Sequence, residues 1–205
     1  MGKGLFNSIA SAYGLFFTYQ VGVFSAIIDK HARAINLTGM ESVCDVGCGT
    51  GALCEVLAQH GYRVTGVDPA LKMLEIARKK TTQPIEFIHA DAVEGLPFED
   101  ASFDVVFASF VVHGMDVAKR KDFYRELRRI ARHAVVIHDY NATRGLLTSI
   151  VEWLERGDYF GFIKRPQAEM EEVFPSITVI QVGKRASWYV CRCSSKAEET
   201  AEFPQ

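Results

Sequence analysis

The sequence lacks any appreciable charge excess. Across 205 residues, 23 Lys and Arg stand against 25 Asp and Glu, for a net charge of −2. A chain built to bind nucleic acid carries a basic balance or a basic patch, and the overall balance supplies none. Lys121, Arg125, Arg128 and Arg132 do form a basic stripe at helical spacing, but Asp122 and Glu126 interrupt it. That is the pattern of a solvated helix face. Paired cysteines are missing as well. There are five cysteines, an odd number, with no Cys-x-x-Cys spacing. This argues against a disulfide framework and against a zinc site, and favours free thiols in a reducing, cytoplasmic compartment. Internal repeats and low-complexity linkers are absent too. With 48% hydrophobic residues, the chain can bury a real core.

Charge is also lacking between Gly4 and Ile28, a stretch long enough to cross a bilayer. Asn7, Ser8, Ser11, Thr18, Gln20 and Ser25 are scattered through it, with three glycines. The expectation is therefore two cap helices over 5–37, breaking near Gly22. Membrane contact through Leu5 to Ile28 is the lesser reading. The apolar stretch before Ala10-Ser11-Ala12 is too short for an export signal. Phe6 stands where N-myristoylation needs Ser or Thr.

What is present is alternation. Apolar and β-branched runs at 42–46, 62–67, 85–89, 103–109 and 134–138 predict five strands. Helices are expected between them over 52–60, ended by Gly61; from Asp68-Pro69 to Lys80; and over 116–132. The 103–109 run is nearly all apolar and should be covered on both faces. Strands alternating with helices imply parallel βαβ units. The last third departs from that rhythm. Residues 141–162 read as an aromatic helix and 166–174 as a short one, while 177–182 and 187–193 read as an antiparallel hairpin joined around Gly183-Lys184-Arg185. The whole reads as one domain: a helical cap (1–40), a core (41–140), a helical insert or lid (141–174), a hairpin (175–193) and a polar tail (194–205).

The most informative stretch is Cys44-Asp45-Val46-Gly47-Cys48-Gly49-Thr50-Gly51, between a strand and a helix. Gly47, Gly49 and Ala52 satisfy the dinucleotide fingerprint in its form ending in Ala. A nicotinamide or flavin enzyme is therefore not excluded. Asp45 separates the possibilities. A dinucleotide sets its pyrophosphate at a helix N-terminus, where backbone N–H groups favour anions, and a carboxylate beside that spot opposes it. A cationic ligand without phosphates reverses the preference. S-adenosylmethionine (SAM), with its ammonium and sulfonium, is such a ligand. On this reading Asp45 attracts the ammonium, the N–H groups of the turn receive the α-carboxylate, and the glycines allow close approach. Asp68, 21 residues after Gly47 at a strand end, is placed to accept ribose hydroxyls or to cap the helix that Pro69 opens. Met73, one turn on, lies against the adenine face or packs in the core.

With these residues in view, the chain resembles the class I SAM-dependent methyltransferases, and most closely their ubiquinone/menaquinone biosynthesis subgroup (type 11). The resemblance rests on VCDVGCGTG at 43–51, VTGVDPALKMLEIAR at 64–78 and DAVEGLPFEDASFDVVFAS at 91–109. It implies an α/β, Rossmann-like, mostly parallel seven-stranded sheet with an antiparallel C-terminal hairpin, helices on both faces and an N-terminal helical cap. It further implies that Cys48 and Pro69 flank the cofactor, that Asp91 receives the adenine amino group beside the Ala92 N–H, and that Phe110 borders the sulfonium. Tyr13 fits the family's early Ala-x-x-Tyr position, although Gly14 stands where an Asp is usual. The implied reaction is methyl transfer from SAM to a small, partly apolar acceptor. The alternatives are a nicotinamide-dependent oxidoreductase and a non-catalytic SAM-binding protein.

For a proton-abstracting base the residues offer His113, just past the fourth strand, and His138, at the end of the fifth beside Asp139 and Tyr140. Adjacent residues on a strand point to opposite faces, so His138 and Asp139 should not act as a pair. Aromatics at Phe6, Tyr13, Phe16, Phe17, Tyr19 and Phe24, and at Trp153, Tyr159, Phe160 and Phe162, either roof an apolar acceptor pocket or pack among themselves. Gly157 and Gly161 suggest a flexing lid.

Overall fold

The apolar runs become strands because each has a covered surface to face. The computed structural model describes residues 16–35, 37, 39–141, 162, 164 and 166–194. Within them lie seven strands: β1 (Ser42–Val46), β2 (Arg63–Asp68), β3 (Glu86–His89), β4 (Phe103–Ser109), β5 (Ala131–Tyr140), β6 (Ser176–Gln181) and β7 (Ala186–Arg192). They form one sheet in the order β3-β2-β1-β4-β5-β7-β6. The first five run parallel, and β7 is antiparallel to both β5 and β6.

The helices are α1 (Phe17–His31), α2 (Ala52–Gln59), α3 (Leu71–Lys80), α4 (Val117–Ile130) and α5 (Pro166–Glu171). Side chains alternate across the sheet into two cores. Val43, Phe107, Val136 and Trp188 pack with Ile28 of α1 and Leu57 of α2. Cys44, Val106 and Val135 pack on the other face with Phe123, Tyr124 and Leu127 of α4 and with Phe162. The β1 and β4 interiors are buried almost throughout, as expected of parallel strands covered on both sides.

Three expectations need correction. Helix α1 runs unbroken through Gly22, which is exposed there; a single helical glycine costs about 1 kcal/mol and does not end a helix that is otherwise packed. The helix expected over 116–132 is shorter, because Ala131 turns to extended backbone straight after Ile130 and begins β5. Pro69 stays outside α3, whose N-cap is Ala70. Asp116 does cap α4, its side chain accepting the Lys119 N–H at 3.0 Å. Residues 142–161 of the expected insert and the cap ahead of Phe16 lie outside the described residues.

Candidate active site at the carboxyl rim of the sheet

The carboxyl ends of β1, β2, β4 and β5 converge on one rim, where the strand order reverses between β1 and β4. Such a switch point is where open α/β sheets hold ligands. The glycine turn leads from β1 into α2. Gly47, Gly49 and Gly51 have φ of 78°, 54° and 79°, a left-handed region that suits glycine. A Cβ on Gly47 would lie 2.5 Å from Val111 Cγ2, whereas one on Gly49 would meet nothing within 4 Å. The turn is thus tight on the Val111 side and open above Gly49.

Three N–H groups of the turn, those of Gly47, Cys48 and Gly49, point inward and already have partners within the chain. Gly47 and Cys48 both donate to the Val67 carbonyl, at 2.8 and 3.0 Å, and Gly49 donates to Asp68 Oδ2 at 2.8 Å. The turn is latched to the end of β2. What its glycines offer a ligand is close approach.

Two carboxylates sit at the base of this cradle. Asp45 is 1% exposed. The Cys54 thiol donates to its Oδ2 at 3.4 Å, and its Oδ1 is buried with no hydrogen-bond partner. Burial pushes its carboxyl up to about 7; the Cys54 contact opposes the rise and the charge of Asp68 adds to it. Asp45 does not cap α2, whose N-cap is Gly51. Asp68 accepts from Gly49 through one oxygen and from the Ala70 N–H, at 2.8 Å, through the other. Burial raises its carboxyl, and those two N–H groups pull it back. Each oxygen keeps a second lone pair, so the latch and ribose binding are compatible.

The other candidate positions have contacts of their own within the chain. Asp91 accepts the Val93 N–H at 3.1 Å, and Ala92 is buried in the α4-side core. Met73 is buried against Ala70 and Ile76. Pro69 accepts from His89 Nε2 at 3.1 Å through its carbonyl. Phe110 is 40% exposed with φ of 56°; a bulky residue there is strained, and strain of this kind gathers at functional sites. Tyr13 lies outside the described residues, as do Trp153, Tyr159, Phe160 and both glycines of the suggested lid.

The structure pairs the histidines differently from their order in the chain. His113 and Asp139 are both buried, with His113 Nδ1 2.8 Å from Asp139 Oδ1. The Val112, His113 and Tyr140 N–H groups also converge on the Asp139 carboxylate. His138 points to the opposite face, among Phe24, Phe110 and Trp188. Burial lowers it to about 4, with Asp139 opposing. Sequence reasoning missed Trp188, whose placement depends on β7. It also missed Gln20, whose side chain meets the Thr50 hydroxyl at 3.4 Å.

Residues 44–138 match a family described as methyltransferase domain. Over those residues the chain is similar to that family. It is 35% identical over 129 residues to the demethylmenaquinone methyltransferase of Clavibacter sepedonicus, covering 62% of this chain and 52% of that one. It is 45% identical over 135 residues to the enzyme of the same name from Chlorobaculum tepidum, covering 62% and 54%. The chain thus spans about half the length of these curated relatives. Among solved structures, the fold matches human N-acetylserotonin methyltransferase in complex with SAM, with a TM-score of 0.69, 14% identity, and coverage of 95% and 57%. It also matches magnesium protoporphyrin IX methyltransferase from Synechocystis with bound SAH, with a TM-score of 0.59, 20% identity, and coverage of 86% and 84%. The matched residues run from β1 into β5 and include the glycine turn, Asp45, Asp68 and Asp91.

Proposed function

We propose that the protein transfers a methyl group from SAM to a small, partly apolar acceptor. The observation that carries this reading is Asp45, a buried carboxyl with one unmet oxygen beneath the glycine turn and near a second carboxylate. That arrangement repels a pyrophosphate and suits an ammonium. In this reading Asp45 holds the ammonium and Asp68 accepts the ribose hydroxyls. Asp91 and the Ala92 N–H receive the adenine edge, Met73 supports its face, and Gly47, Cys48, Gly49 and Pro69 line the approach. Phe110 borders the sulfonium.

When bound, the sulfonium supplies a methyl group already activated for in-line displacement. The chain's own task is alignment, which contributes about 7–11 kcal/mol in favourable cases. The aromatic walls exclude water from the reacting centre. His113 is the base of the pair. A carboxylate at Asp139 only accepts, so His113 Nδ1 carries the proton and Nε2 is the basic nitrogen. Held at about 4, His138 has too little basicity for that task near neutrality.

The relatives' names point to quinone precursors, and a flat, conjugated acceptor fits the aromatic rim. None of the five cysteines is disulfide-bonded, which supports a reducing, cytoplasmic setting. No helix among the described residues is long and apolar enough to cross a membrane. Along the basic stripe, Lys121 pairs with Glu172, Arg125 with Asp122 and Arg132 with Asp104, so these charges are matched within the chain and do not call for a nucleic acid.

The test is incubation with isotopically labelled SAM and a metabolite extract, followed by mass spectrometry. A labelled small molecule is the expected result. SAM binding without label transfer would indicate a binding protein, and NADH occupying the cradle in place of SAM would overturn the reading.

A further inference from the structure

Two polar atoms on the rim have no use in the scheme above. Ser109 ends β4, and the parallel register sets it beside His138 on β5. Ser109 Oγ and His138 Nε2 are both buried, and neither has a hydrogen-bond partner. A buried polar group left unmet costs about 1–3 kcal/mol, so native structures seldom keep one without a reason. Here two lie next to each other at the ligand edge of the sheet.

Their surroundings define what would satisfy them. The His138 ring lies 4.6 Å from the Phe110 ring, 5.8 Å from Phe24 and 6.4 Å from Trp188, centroid to centroid. Phe110 in turn lies 5.3 Å from Tyr140. Phe110 is the partly exposed member and forms the outer wall. The two polar atoms are therefore edged by aromatic rings, of which Phe110 faces outward. Burial keeps the imidazole neutral at physiological pH. It neither holds an anion by charge nor repels a cation. It offers one hydrogen bond through Nε2, and the serine hydroxyl both donates and accepts.

We propose that Ser109 and His138 form the polar end of the acceptor subsite, recognising a neutral hydroxyl or carbonyl on an aromatic or conjugated ring held against Phe110. This deepens the methyltransferase reading and rests on it only in naming the ligand as the methyl acceptor. His138 is then a specificity residue, while His113, on the other face of β5, moves the proton. Ligands of the right shape but without an oxygen are rejected, because they leave both buried atoms unmet.

The test uses the full chain with histidine rings labelled with nitrogen-15, and phenol and toluene as probes of nearly equal shape. The His138→Phe spectrum assigns the His138 signals. Millimolar phenol should move the His138 ring nitrogens, and toluene at the same concentration should not. Ser109→Ala should weaken phenol several-fold with the fold intact. His138→Gln, which keeps a hydrogen-bonding group near the Nε2 position, should retain much of the phenol response that His138→Phe loses. Equal shifts from both probes, or none from phenol, would overturn the proposal, and so would unchanged phenol affinity in Ser109→Ala. Calorimetry with S-adenosylhomocysteine on the same samples separates the two ideas. If it binds while phenol is ignored, the subsite alone fails. If it does not bind while phenol discriminates from toluene, the cofactor reading fails and the subsite stands.

Discussion

Asp68 shows how one side chain serves structure and ligand together. Its two oxygens already accept from Gly49 and Ala70, so removing the carboxylate loosens the glycine turn as well as the ribose site. Asp68→Asn is the cleaner variant, since the amide keeps one accepting oxygen for the latch. It should bind S-adenosylhomocysteine at least tenfold more weakly by calorimetry, equivalent to about 1.4 kcal/mol or more, with far-ultraviolet circular dichroism unchanged. Unaltered affinity would remove Asp68 from the ribose site. His113 is read with equal directness. Replacing it by Gln removes the basic nitrogen, and turnover should fall about 10²–10⁴-fold, the range for a lost general base. S-adenosylhomocysteine affinity should persist, and a turnover rate equal to that of the parent would exclude the role.

At the level of elements, α4 carries an unusual buried arginine. Arg120 is fully buried on the stripe that also bears Phe123, Tyr124 and Leu127. Its guanidinium meets both carboxylate oxygens of Glu169 on α5, at 2.6 and 2.8 Å. It also donates to the Met115 carbonyl and lies 5.7 Å over the Phe162 ring. This clamp fastens the chain just after residues 142–161 onto the body of the sheet. Removing one partner strands a buried charge. Glu169→Ala should therefore lower unfolding stability by about 3–5 kcal/mol in urea titrations. A paired Arg120→Met, Glu169→Leu variant should recover most of that loss, because it removes the buried charge instead of exposing it. If both variants are equally unstable, the clamp's value is packing and not charge pairing.

For the whole molecule, two buried groups set opposing pH dependences. The Asp45 carboxyl is held at about 7 when folded, against 3.8 when free. The folded chain therefore keeps a proton there that the unfolded chain has lost. Its contribution is fully present below about pH 4 and is lost as pH rises through about 7, on the order of 4 kcal/mol. His138 is held at about 4 against 6.5. Its contribution is present above about pH 6.5 and is lost as pH falls through about 4, on the order of 3 kcal/mol. Over that shared window the two largely cancel, and stability should be nearly flat. Asp45→Asn should unmask a loss of stability toward acid, and His138→Gln a loss toward neutrality. Urea titrations across the window would show it, and parallel pH profiles in both variants would refute it.

The sequence by itself determined the local pieces. The β4 run is covered on both faces because its residues are apolar throughout, and the turn at Gly47 to Gly51 forms because left-handed backbone favours glycine. The family resemblance was legible in three motifs, and the opposite facing of His138 and Asp139 followed from strand geometry. Tertiary structure alone decided what depends on residues far apart in the chain. Asp139 reaches His113 across 26 positions, because β4 and β5 lie side by side and the loop after β4 folds back over the rim. The strand order put β7 between β5 and β6, which brought Trp188 up to His138. Burial raised Asp45 and lowered His138, and burial is a property of the packed whole that no local pattern encodes.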